Sequence, residues 1–112
     1  MTKLRIMPAP KALSTGEEQF ALDCKRVGLA PVREFQFSKR KFRADFGFVA
    51  EKLLVEVEGG IWIRGRHNRA SSIEKDFVKY SLAAILGYRV IRCSTDQVMS
   101  GQAIDWTLQA LK

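Results

Sequence analysis

The first apolar periodicity in the chain is helical. Residues 14–18, Ser-Thr-Gly-Glu-Glu, place a capping hydroxyl ahead of two acids, as helix starts do. Phe20, Ala21 and Cys24 then share one face, which predicts a helix to about Val27 that stops at Gly28. Glu17 precedes Phe20 by three residues and falls on the same inward face. Glu18, Asp23, Lys25 and Arg26 are expected to look outward.

The period then shortens to two. Residues 32–37 alternate, with Phe35 and Phe37 on one side. Residues 42–49 alternate again, which puts Phe42, Ala44, Phe46 and Phe48 on one face and Arg43, Asp45 and Gly47 on the other. Residues 53–58 place Val55 and Val57 opposite Leu54, Glu56 and Glu58, and Gly59-Gly60 ends that strand. A tight hairpin through Ala50-Glu51-Lys52 joins the last two. Residues 61–70 read as a basic loop. Ser71 or Ser72 then caps a helix to Leu86 that Gly87 ends. Residues 88–93 form a fourth strand. Residues 95–112 are helical, with a break near Ser100-Gly101. The predicted order is α-β-β-β-α-β-α: a three-layer α/β domain with a central mixed sheet and its acids on one sheet edge. Residues 1–13 hold two of the three prolines and read as a loose arm before one domain over 14–112.

Charge adds a partner to this picture. The chain has 112 residues and a formal net charge of +7, from 19 Lys and Arg against 12 Asp and Glu. That balance points to a polyanion, nucleic acid before an anionic membrane. No helix combines a basic face with a broad apolar one, so a membrane surface is the weaker reading. No apolar run reaches transmembrane length and the start lacks a signal cleavage pattern, so a cytoplasmic location is expected. Cys24 and Cys93 lack metal-ligand spacing and are expected in the core.

The candidate chemistry is carboxylate chemistry. Asp45 and Glu56 lie 11 positions apart on adjacent predicted strands, and Glu58 follows Glu56 by two on the same face. Acids gathered on one face repel unless a cation neutralises them. Hard oxygen ligands on rigid strands suit Mg²⁺ or Mn²⁺, which activate water and stabilise a phosphodiester transition state. The competing reading is a solvated sheet face. It sits poorly with two acids inside the apolar run Leu53-Leu54-Val55-Glu56-Val57-Glu58.

Five segments together resemble the PD-(D/E)XK nuclease superfamily: Arg43-Ala44-Asp45-Phe46; residues 53–60; Gly65-Arg66-His67; Asp76-Phe77-Val78-Lys79-Tyr80; and Gly87-Tyr88-Arg89-Val90-Ile91-Arg92. The branch they resemble is that of small DUF559-like and very-short-patch-repair-like endonucleases, over residues 14–101. The resemblance implies a restriction-endonuclease-like core and a Mg²⁺-dependent deoxyribonuclease in which Asp45 and Glu56 bind metal. It implies the same for Glu17, because the first helix of such proteins often contributes an acid. The motif lysine is replaced here by Glu58, which can bind metal but supplies no positive charge. Lys79, on the following helix, is the candidate replacement, with a plain surface lysine as the alternative. His67 is a candidate general acid or phosphate contact, with a solvated loop histidine as the alternative.

Basic residues flank the acids: Lys39, Arg40, Lys41 and Arg43 before Asp45, and Arg64, Arg66 and Arg69 after Glu58. They suit a DNA backbone without reading sequence. Trp62 could stack on an unpaired base, though packing is the commoner role, and Trp106 is expected in the core. The reading is a metal-dependent DNA endonuclease. Its rivals are a structure-selective junction resolvase, which would favour a homodimer, and a non-catalytic DNA-binding module that kept the fold. A mismatch nickase resembles the same branch, but the zinc site that goes with that role has no ligands in two distant cysteines. If the flanking cations grip phosphate, DNA affinity falls steeply with salt, and Arg40→Glu with Lys41→Glu lowers it for all sequences alike. An affinity independent of salt in a filter-binding titration would remove the electrostatic argument.

Overall fold

A computed structural model describes residues 15–59 and 70–112, with side chains from residue 73 onward in the second stretch. The proposed arm over 1–13 lies outside the described residues. So do Trp62, Arg64, Arg66, His67 and Arg69 of the basic segment.

The elements follow the predicted order. Helix α1 spans Thr15–Arg26. Strands β1 (Val32–Gln36), β2 (Arg43–Phe48) and β3 (Leu53–Glu58) follow, then helix α2 (Ala70–Ile85) and strand β4 (Arg89–Ser94). The C-terminal helical stretch is broken as expected, into α3 (Thr95–Met99) and α4 (Gln102–Ala110). Ser94 caps α3 in a reciprocal box, its side chain accepting from the Gln97 N–H while the Gln97 side chain accepts from the Ser94 N–H.

The four strands lie in chain order. β1–β2 and β2–β3 are antiparallel and β3–β4 is parallel, with α2 as the crossover. The sheet is therefore mixed, with helices on both faces. Phe20 and Cys24 of α1, Val98 and Ala103 pack with Phe46, Phe48, Leu53, Val55 and Val57 in one core. Phe37, Ala44, Leu54 and Ala83 of α2 form the second core, joined by Phe35, Phe42 and Tyr88. Phe20 meets Phe46 edge-on with ring centroids 4.8 Å apart, an arrangement aromatic quadrupoles favour. Trp106 packs against the first core, partly buried. Both thiols are buried, and burial pushes Cys24 up to about 12 and Cys93 up to about 11. No helix among the described residues is long and apolar enough to cross a membrane.

Three details differ from the sequence reading. Asp45 and Glu56 stand on the two central strands, not at an edge of the sheet. Asp23 is buried (4% exposed) and accepts from Gln19 and Arg26, where an outward position was expected. Two local donors on Oδ1, one of them a guanidinium, offset the cost of burial. Last, β2 does not keep one face. Ala44 packs in the α2 core, whereas Phe46 and Phe48 pack in the α1 core.

The switch coincides with a distortion in β1. Glu34 has a left-handed backbone, φ 51°, inside the strand, a conformation costly for a non-glycine residue. The pairs Arg33↔Phe46 and Phe35↔Ala44 place Glu34 across from Asp45. Arg33 stacks on Phe46 on the α1 side, 5.2 Å from the ring centroid, while Phe35 joins the α2 core. Two residues that regular alternation would put on one face therefore lie on opposite faces.

Gly47 is required by this twist. Phe35 lies directly over it, and a Cβ there would stand 2.4 Å from the ring carbon Cδ2. Gly47→Ala is expected to cost roughly 1–3 kcal/mol, because Phe35 must leave its place. Urea denaturation that returned wild-type stability for this variant would show that Phe35 is not held against the strand.

Candidate functional site

The site forms where the central ladder ends. Between β2 and β3 the pairing runs Phe48↔Leu53, Gly47↔Leu54 and Phe46↔Val55. Beyond it, the Val57 N–H donates to Asp45 Oδ2 at 2.9 Å. A side-chain carboxylate thus answers a backbone donor, which ties Asp45 to the neighbouring strand.

Glu17 reaches the same place from α1. Gly16 makes this possible, since a Cβ at that position would stand 2.8 Å from Thr95 Oγ1 and 3.2 Å from Thr95 Cα. Without a side chain there, the start of α1 settles against α3 and Val57, and Glu17 is carried in, buried. Arg33 Nη2 stands 3.9 Å from Glu17 and donates to Glu18 at 2.9 Å. Glu34 supplies a third carboxylate through its left-handed turn. One oxygen each from Glu17, Glu34 and Asp45 lie within 4.8 Å of one another, a spacing a single cation could bridge.

A second group of charges adjoins the first. Glu56 is buried and accepts from both Lys79 Nζ and the Tyr80 hydroxyl of α2, one on each oxygen. Glu58 accepts from Arg92 Nε at 2.6 Å. Arg92 also stacks over Tyr80, 4.5 Å from the ring centroid, and stands 3.9 Å from Asp76. These contacts form a chain from α2 through β3 to β4.

Electrostatics mark Asp45. Burial pushes its carboxyl above the ordinary range, against the pull of the Val57 N–H. The charges of Glu56 and Glu34 push it further up, and Lys79 opposes them. Tyr80 is held well above the usual phenol range by burial first and then by its bond to Glu56. The bond to Glu58 raises Arg92.

Of the residues picked from the sequence, the structure brings Glu17 and Asp45 together and sets Lys79 on Glu56. Glu56 and Glu58 are not members of the three-carboxylate cluster, though the Glu56 charge acts on Asp45; each is held by basic or phenolic partners from α2 and β4. Lys39, Arg40, Lys41 and Arg43 are exposed before and at the start of β2. The Gln36 side chain donates to the Ser38 and Arg40 carbonyls and fixes that turn. Sequence reasoning missed Glu34 and gave Tyr80 and Arg92 no role. The polar pair Arg33-Glu34, which breaks the alternation ahead of Phe35, was the available signal for Glu34.

Fold and acidic cluster together describe a mixed α/β domain with carboxylates from α1, β1 and β2 gathered beside one another. A solved structure shares this fold: the catalytic domain of the homing endonuclease I-Bth0305I, with a TM-score of 0.64 at 18% identity, over 87% of this chain and 92% of that one. No protein-family model matches the sequence, and no curated protein matches it.

The raised Asp45 carboxyl has a consequence for stability. In the window between its unfolded and folded values the native state holds more protons than the unfolded one. In the absence of metal, stability from this group is therefore lost as pH rises through that window. Asp45→Asn removes the penalty, so its Tm advantage over wild type should grow upward from about pH 4, the start of the ordinary carboxyl range. A difference in Tm that stays constant from pH 4 to 8 in EDTA would show that Asp45 ionises without cost.

Proposed function

We propose that the chain is a metal-dependent deoxyribonuclease that hydrolyses DNA phosphodiester bonds. The observation that carries this is the approach of three carboxylates, Glu17, Glu34 and Asp45, within 4.8 Å. The endonuclease catalytic domain with the same fold supports it, as does the net charge of +7. The donor set fits Mg²⁺ or Mn²⁺: three hard anionic oxygens, one of them on a carboxyl that burial and neighbouring acids make costly to ionise without a cation. The chemistry such a cation supplies when bound is polarisation of a phosphoryl oxygen and activation of water.

The protein's own groups do the rest. Asp45, fixed by the Val57 N–H, is the anchor of the acidic cluster. Lys79 brings positive charge that acts on Asp45 and stands in for the motif lysine that Glu58 replaces. Glu56 and Tyr80 hold that ammonium in place, a positioning role in which both oxygens of Glu56 are used. A fixed cation stabilises negative charge developing on phosphate, because no reorganisation is needed at the moment of reaction. Glu58 positions Arg92 in the same way, leaving the half-exposed guanidinium able to meet a phosphate. Lys39, Arg40, Lys41 and Arg43 grip the backbone further out.

Asp45→Asn should abolish cleavage while DNA affinity persists. Lys79→Ala should lower turnover roughly 10²-fold or more with little change in binding. Lys75→Ala, exposed on the same helix, should do little. Cleavage of a DNA panel in Mg²⁺, Mn²⁺ and EDTA checks all three. Cleavage that survives EDTA, or equal small effects at Lys79 and Lys75, would overturn the assignment.

A further inference from the structure

The outer side of α2 is unusually apolar for a solvated helix. Ile73, Phe77, Val78 and Ile85 are 42%, 64%, 43% and 79% exposed. Exposed apolar surface on this scale marks a binding site more often than an accident of packing. Part of it lines a groove of about 700 Å³ between α2 and β4, walled by Ile73, Phe77, Ala84 and Val90. That volume falls in the range of small-ligand sites, roughly 300–1,000 Å³.

What distinguishes this groove is where it leads. Tyr80 and Arg92 also line it. They are the residues that bond Glu56 and Glu58, so the groove opens onto the charged chain beside the acidic cluster. An occupant can lay a flat apolar face on Phe77 and bring negative charge to the half-exposed face of Arg92 that Glu58 leaves open. Arg40 borders a second hollow that shares Phe77 and Ser81, and supplies positive charge on the other flank. Asp76, at the rim, provides an acceptor of the kind that pairs with the exocyclic amino group of a base.

We infer that this groove takes a nucleobase displaced from the stack, with Phe77 as its stacking platform and Arg92 on the adjoining phosphate. A nucleotide meets each requirement at once: an apolar π-face, amino donors at the edge and an anionic link. A base within an intact duplex is stacked on both sides and cannot enter. The preferred substrate is therefore DNA with an unpaired nucleotide beside the scissile bond. This inference rests on the nuclease reading and narrows it to a substrate class.

The test uses the full chain and two DNAs that differ only in whether one 2-aminopurine is paired. Binding is measured in EDTA, by 2-aminopurine fluorescence and by affinity. Wild type should quench the unpaired base and bind that DNA more tightly than the paired duplex. Phe77→Ala should abolish the quenching and weaken binding to the unpaired DNA roughly tenfold, the scale of one lost base stack. Its affinity for the paired duplex should not change. Phe77→Trp should retain quenching, which shows that the aromatic face and not the fold is at issue. Equal affinities of Phe77→Ala and wild type for both DNAs would overturn the inference. So would a sedimentation shift showing that Phe77→Ala splits a dimer, because the groove would then belong to a second copy. Metal-dependent cleavage of the paired duplex is followed in parallel. Intact cleavage without any effect at Phe77 defeats the groove alone. Preference for the unpaired base without cleavage defeats the nuclease reading alone.

Discussion

The bond from the Val57 N–H to the Asp45 carboxylate decides how the two central strands part. A strand pair must place every buried backbone donor, and the usual solution is a partner carbonyl. Here the ladder runs from the hairpin to Phe46↔Val55, and then a side chain takes over. The carboxylate that does so is fixed by the same contact. Structure and candidate chemistry share one hydrogen bond, so neither can drift without the other. The entry of Glu17 over Gly16 and the left-handed turn at Glu34 both converge on that point.

Around it, acids and cations are paired. Glu56 with Lys79, Glu58 with Arg92 and Asp23 with Arg26 each pair an acid with a cation. Removing an acid from water is expensive, and a buried carboxylate persists only when its oxygens are answered. Asp45 is answered by an amide, a weaker counterweight than a full charge. Burial drives its carboxyl upward. Glu56, Glu58 and Asp23 thus meet side-chain cations, while Asp45 meets a backbone amide beside Glu17 and Glu34.

Much of this was legible in the residues. Period-two and period-3.6 patterning located the helices and strands, and the break at Ser100-Gly101, because burial of apolar faces sets those periods. The inward position of Glu17 followed from its spacing to Phe20, and the reach of Lys79 from its place on a crossover helix. What was not legible depends on backbone geometry. The polar pair Arg33-Glu34 marks a break in the alternation, but it does not announce φ 51° at Glu34 or the splitting of Ala44 from Phe46. Asp45 lies on β2, and Glu56 and Glu58 on β3, as the alternation indicated. Which partners each acid would find depended on Tyr80 and Arg92, whose approach is set by tertiary packing. Asp23 was misjudged because its partners lie on its own helix and turn an outward acid into a covered one.

The two buried thiols have a practical side. Alkylation and disulfide exchange proceed through thiolate, and both Cys24 and Cys93 are kept protonated and covered. The chain holds two cysteines in all, so its native surface offers maleimides and other thiol reagents almost nothing to attack. A single cysteine introduced at an exposed position becomes the one fast-reacting handle on the molecule. Fluorophores, spin labels or cross-linkers can be attached there without first stripping out native residues, and the core packing around Phe20 and Phe46 stays as it is.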